Sequence, residues 1–152
     1  MRVIALDVGT KRIGVAFADS KVRIAIPRGM VSVDGNELAA IMKWYKSEKA
    51  ELIVVGFPRN SKGETTRQTE VVRDFVGRLE HYFLEQEHKQ LEIRYQDESL
   101  TSVMAESRLG ENVSRADRAA GKVDVEAAAI ILQDFLDSTN FDQLEKEIHG
   151  AQ

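Results

Sequence analysis

Three apolar runs at the start of the chain, Arg2–Val8, Ile13–Ala18 and Val22–Val31, are joined only by short polar stretches around Gly9-Thr10-Lys11 and Asp19-Ser20-Lys21. Connections that short cannot carry a crossover, so the runs pair as antiparallel strands. After them the pattern alternates. Residues 36–48 repeat Leu38, Ile41, Met42 and Tyr45 at helical spacing, Leu52–Gly56 is a compact β-branched strand, and 66–87 carries the stripe Val72, Phe75, Val76, Leu79 and Phe83. Leu91–Tyr95 reads as a fifth strand, and Thr101 or Ser102 caps a short helix to about Leu109. Asn112–Gly121 reads as a polar loop, and Asp124–Asp137 as the last clear helix. A meander followed by βα alternation makes an α/β domain, a mixed sheet with helices on its faces.

The 152 residues suit one domain, expected over 1–138, with 139–152 as a frayed acidic C-terminal tail of at most weak helicity. A hydrophobic share of 43% beside a charged share of 30% excludes a disordered or fibrous chain. With no cysteine, disulfides, thiolate zinc sites and cysteine nucleophiles are excluded. The apolar stretches Leu52–Pro58 and Ala127–Leu132 are far shorter than the ~20 residues a membrane span needs. Asp7 also interrupts the apolar start, so neither a signal peptide nor a membrane partner is expected. The expected location is the cytoplasm.

The net charge of −4 hides a segregation. Residues 1–30 carry Arg2, Lys11, Arg12, Lys21, Arg23 and Arg28 against Asp7 and Asp19, whereas 134–152 carry Lys146 against five acids. Two further loops, Arg59–Lys62 and Arg115–Lys122, are mildly basic. Taken singly, each is an ordinary solvated cluster. Beside a carboxylate site they would hold phosphates.

At three places acids stand where apolar residues are expected. Asp7 interrupts Val3-Ile4-Ala5-Leu6-Asp7-Val8, and burying it there is costly without a partner, a proton or a metal, unless it merely opens the Gly9 turn. Asp97 and Glu98 end the fifth strand; neighbours on a strand face opposite ways, and both could instead serve a helix N-terminus. Asp124 continues the apolar stripe Ala127, Ala128, Ile131, Leu132 and Phe135, which an N-cap role alone does not explain. Three convergent carboxylates suit a hard cation, Mg²⁺ or Mn²⁺, and hence metal-assisted attack of water on a phosphodiester. His81, His88 and His149 sit at solvated positions, so a histidine triad or zinc site is not expected.

Ile4 to Ala16, with Asp7-Val8-Gly9-Thr10-Lys11-Arg12 at its centre, resembles the opening of the YqgF/RuvX family, bacterial proteins assigned to Holliday junction resolution or pre-16S rRNA processing. Val55-Gly56-Phe57-Pro58, Gly63-Glu64-Thr65, Asp97-Glu98-Ser99-Leu100-Thr101 and Lys122-Val123-Asp124 carry the resemblance onward, in order, across positions 4 to 136. It implies a ribonuclease H-like fold with a five-stranded mixed sheet. It also implies a metal-dependent nuclease whose acidic triad falls on Asp7, Glu98 and Asp124. Two positions depart from the family pattern: Ser99 stands where Arg is usual, removing a cation beside the triad, and Phe57 stands where Leu is usual.

On this reading Asp7, Glu98 and Asp124 are both the catalytic and the metal-binding residues. Lys11, Arg12, Arg59, Lys62, Arg115, Arg118 and Lys122 would bind nucleic acid, and Asn112–Gly121 would close as a basic flap. Aromatic residues make up only 7% and serve core stripes, so backbone and shape recognition fits better than base stacking. Both a four-way DNA junction and precursor rRNA offer the same phosphodiester chemistry, and a symmetric junction would favour a homodimer. Two rivals stand beside the nuclease. One is a phosphotransferase holding nucleotide on the Asp7-x-Gly9-Thr10 loop, for which one domain lacks the second half of a cleft. The other is a non-catalytic nucleic-acid or ribosome-binding module.

Overall fold

A computed structural model describes residues 1–58, 62, 64–97 and 122–150, with side chains in the last stretch described from residue 125. Strands β1 (Arg2–Val8), β2 (Arg12–Asp19), β3 (Ile26–Ser32), β4 (Leu52–Phe57) and β5 (Ile93–Asp97) form one sheet in the order β3-β2-β1-β4-β5. β1 pairs antiparallel with β2 and β2 with β3, while β1–β4 and β4–β5 are parallel. The mixed sheet expected from the sequence is therefore present.

Helices cover both faces. α1 (Glu37–Ser47) and α2 (Arg67–Glu87) bury their stripes against Ile4, Leu6, Val8, Ile13, Val15, Ile53 and Val55. α3 (Lys122–Ser138) and α4 (Phe141–His149) close the other face over Val3, Ala5, Ala16, Ala18, Leu52 and Val54. β1 is thus covered on both sides, which is why Val3–Leu6 reads as a continuous apolar run. Ala127, Ala128, Ile131, Leu132 and Phe135 are all buried, and the small residues among them let α3 lie close to the sheet.

Three local expectations need correction. β3 begins at Ile26 and not Val22, because Asp19 folds the preceding residues into a turn. Its carbonyl accepts from the Val22 and Arg23 amides, its carboxylate accepts from the Lys21 amide, and Arg23 takes a φ of 62°. β5 runs from Ile93 to Asp97, two residues later than expected; Leu91 is buried, but before the strand starts. The segment after Ser138 is also more than a frayed tail. Asn140 caps α4 by accepting from the Gln143 amide at 3.1 Å, and Phe141 and Leu144 are buried in the α3-side core. Acidic residues on the helix's outer positions hid two apolar anchors in a short segment. The short helix to Leu109 lies outside the described residues.

Candidate active site at the carboxyl edge of β1

Alternation along β1 sends Val3 and Ala5 into the α3-side core and Ile4, Leu6 and Val8 into the other. Asp7 therefore lies on the α3 face, one step past the fully buried Leu6, and is itself half-buried. Its antiparallel partner is Gly14. On the other side Leu6 pairs with Val55, so one step on Asp7 comes level with Gly56, which pairs with Gln96. The row across the face reads Met30, Gly14, Asp7, Gly56, Gln96. No Cβ flanks the carboxylate on either neighbouring strand.

The β1–β2 connection rises beside this row. The Gly9 amide donates to the Arg12 carbonyl at 2.9 Å, and a Cβ on Gly9 would stand 2.6 Å from that oxygen, so the turn needs glycine for close approach. Arg12 shares the face of Gly14, Ala16 and Ala18, which places a guanidinium stem on the same face as Asp7, one row further out. Lys11 is exposed at the turn, where its carbonyl accepts from the Val33 amide. α2 is tied to the same edge. The Gln68 side chain donates to the Val8 carbonyl at 3.0 Å and the Thr69 hydroxyl to the Pro58 carbonyl at 2.5 Å. A capping box between Thr66 and Thr69 starts that helix.

α3 is anchored at the opposite edge. Gln133 accepts from the Ala25 amide at 2.9 Å, and the Arg23 guanidinium donates to the Leu136 carbonyl. Ala25 precedes Ile26, which is level with Phe17 and hence Ile4. From Gln133 back to Asp124 the helix rises about 13.5 Å, while β1 advances about 10 Å from Ile4 to Asp7. The first turn of α3, which includes the backbone of Asp124, thus reaches the Asp7 end of the sheet.

Asp97 pairs with Phe57, and Ile93 and Tyr95 before it pair with Ile53 and Val55 on the α2 side. Asp97 therefore falls on the face opposite Asp7. Glu98, Arg59, Arg115, Arg118 and the Asn112–Gly121 loop lie outside the described residues, as do the side chains of Lys122 and Asp124. Lys62 is exposed. Among the described residues no group of three metal-ligating side chains is gathered. His81 and His149 are exposed and pair with Glu85 and Glu51, as their solvated positions imply. Gln96 went unnoticed in the sequence because a lone amide beside two acids carries no signal; only strand register sets it in the Asp7 row.

Comparison with known proteins adds the lineage. A relative from Salinibacter ruber is 37% identical over 140 residues, covering 91% of this chain and 94% of the relative. One from Rippkaea orientalis is 35% identical over 139 residues, covering 89% and 94%. Both are named "Putative pre-16S rRNA nuclease". Among solved structures, Thermus thermophilus RuvC in complex with a Holliday junction substrate superposes with a TM-score of 0.55 at 12% identity, covering 90% of this chain and 94% of that one. The Fowlpox virus resolvase bound to junction DNA gives 0.53 at 9%, covering 91% and 98%. These two share the fold, the ribonuclease H-like sheet expected from the sequence. A family model matches residues 1–138 from β1 to the end of α3, and by that match the chain belongs to the RuvX family, described as Holliday junction resolvase.

Proposed function

We propose that the chain is a divalent-metal-dependent endonuclease that hydrolyses phosphodiesters in structured nucleic acid, with Asp7, Glu98 and Asp124 as its acidic triad. The observation that carries this reading is Asp7, a half-buried carboxylate at the carboxyl edge of the central strand, flanked by Gly14 and Gly56. Asp97 lies on the face opposite Asp7, which favours Glu98 over Asp97 as its partner, and the direction of α3 favours Asp124 as the third acid. The donor set is all oxygen in a chain without cysteine, which fits Mg²⁺ or Mn²⁺. When bound, such ions lower the pKa of water and stabilise a leaving oxygen.

The chain's own part is to hold the acids and the backbone. Asp7 and Asp124 supply the principal carboxylates, and Glu98 completes the set and orients water. Lys11 and Arg12, on the turn beside Asp7, neutralise flanking phosphates; Arg59, Lys62, Arg115, Arg118 and Lys122 extend that contact. Precursor rRNA is the favoured substrate, because relatives at 35–37% identity carry that name while the junction complexes share only the fold. The proposed setting is the cytoplasm; no helix among the described residues is long and apolar enough to cross a membrane.

The test is a cleavage assay in Mg²⁺ or Mn²⁺, on a fragment bearing the 5′ end of pre-16S rRNA and on a four-way DNA junction, with Asp7→Asn as control. Metal-dependent cleavage lost in the variant is expected. Cutting of the junction alone would exchange the substrate, and cutting of neither would leave a binding module and end the nuclease reading.

A further inference from the structure

The Asp7 row ends on β5 at Gln96, a half-buried residue whose neighbours are otherwise engaged. Tyr95 lies on the opposite face, stacked edge-on against Phe57 with ring centroids 5.0 Å apart. Arg94, two residues back on the α3 face, pairs with Glu92 at 3.3 Å and Glu147 of α4 at 3.9 Å. The Gln96 carboxamide has no hydrogen-bond partner among the described residues. In the sheet Gly56 lies between it and Asp7, so the two residues share a face across two strand spacings, about 10 Å between Cα atoms. A phosphodiester held at Asp7 would have this row beside it on the β4 side, with no side chain at Gly56 to keep a non-bridging oxygen from Gln96. There the only groups a carboxamide can offer an anion are its two N–H donors.

We propose that Gln96 is a substrate-positioning residue whose side-chain amide donates to a non-bridging oxygen of the phosphodiester held at Asp7, across the side-chain-free Gly56. The inference rests on the nuclease reading of Asp7 but is tested by binding, which does not require cleavage. Gln96 is neutral, and that sets its signature apart from the basic residues. Loss of a neutral donor weakens binding without releasing fewer counterions.

Kd is measured by fluorescence anisotropy on the labelled pre-16S fragment and four-way junction, in EDTA and again in Mg²⁺, across a salt series. Gln96→Leu should weaken binding about fivefold at every salt concentration, with the slope of log Kd against log salt unchanged. Gln96→Lys should recover the affinity and steepen that slope by about one counterion. Gln96→Glu should weaken binding more than Leu does. Tm of all three variants should stay within about 2 °C of wild type, since a half-exposed side chain with no hydrogen-bond partner among the described residues contributes little to the fold. Unchanged affinity in Gln96→Leu and Gln96→Glu overturns the proposal. So does an affinity loss that tracks a fall in Tm, which would mark a structural role. A wild type that binds but does not cleave ends the nuclease reading alone, and the Gln96 series still decides; a wild type that binds neither probe ends both.

Discussion

The turn that carries Arg12 past Asp7 depends on one missing methyl group. A Cβ on Gly9 would stand 2.6 Å from the Arg12 carbonyl oxygen, the same oxygen that accepts the Gly9 amide at 2.9 Å. To reach even the closest approach that side chains tolerate, 3.0 Å, backbone must move about 0.4 Å, and ordinary contact at 3.4 Å needs about 0.8 Å; no rotamer change can absorb either. Gly9→Ala therefore loses the hydrogen bond, about 1 kcal/mol, and adds overpacking strain of about 1–3 kcal/mol. For a domain of this size a loss of about 2–4 kcal/mol lowers Tm by roughly 5–15 °C. Thermal and urea unfolding followed by circular dichroism measure it. Gly77 provides the contrast: it lies inside α2, and among the described residues nothing outside the helix backbone would come within 4 Å of a methyl group there, so Gly77→Ala should stabilise by about 0.5–1 kcal/mol. If Gly9→Ala unfolds within 2 °C of wild type, the turn accommodates the methyl group and the close-approach argument is wrong.

Asp7→Asn should abolish cleavage while leaving metal-free stability intact or slightly raised. Wild type at Mg²⁺ a hundredfold above its Kd should gain about 2.7 kcal/mol, and the variant should lose most of that shift in differential scanning fluorimetry. Lys11→Ala and Arg12→Ala should each weaken nucleic-acid binding and flatten its salt dependence by about one counterion, read from anisotropy titrations. Burial, and then the Glu80 carboxylate, push the Tyr95 hydroxyl above the ordinary phenol value of 10.0, against a smaller pull from Arg73. Stability is unaffected below that value and falls as pH rises from it towards the folded pKa; Tyr95→Phe should remove this alkaline loss, and an unchanged alkaline unfolding curve would contradict it. Deleting 139–152 removes the buried Phe141 and Leu144 and the Arg23–Phe141 contact. It should cost at least about 4 kcal/mol in urea unfolding, against almost nothing for a solvated tail.

Much of this fold is legible in the residues because periodicity and loop length are local. The β1–β2 hairpin follows from a connection too short to cross over, and the α2 stripe from Val72 to Phe83 falls on its buried face. What failed was also local, but weaker. Val22 and Ile24 look like strand yet stay exposed, because a single Asp19 side chain and carbonyl capture the turn. α4 reads from the sequence as no more than a weakly helical tail, because Phe141 and Leu144 are only two apolar residues among acids and their burial depends on a surface far away in sequence. For the site, Asp7 announces itself as a charge in an apolar run. Gln96 does not, since its meaning comes from a register that runs through β4.

The position of Asp7 within β1 follows from where the sheet changes direction. β1 is the strand with an antiparallel neighbour on one side and a parallel one on the other. At its carboxyl end the chain turns towards β2, whereas at the same end β4 leads on towards α2, so the two connections diverge beyond the strand ends, the place where open α/β sheets commonly bind ligands. Val3 to Leu6 are wholly buried, and a carboxylate at Ala5 would lose its hydration with no cation to replace it. Two residues past Asp7, at Gly9, the chain is already in the turn, and a side chain there would displace the Arg12 carbonyl. Position 7 is the α3-facing site on the strand where a carboxylate keeps access to water and ions while the sheet still fixes its backbone. The glycines at 14 and 56 extend that access sideways, so the proposed chemistry would use the row rather than the acid alone.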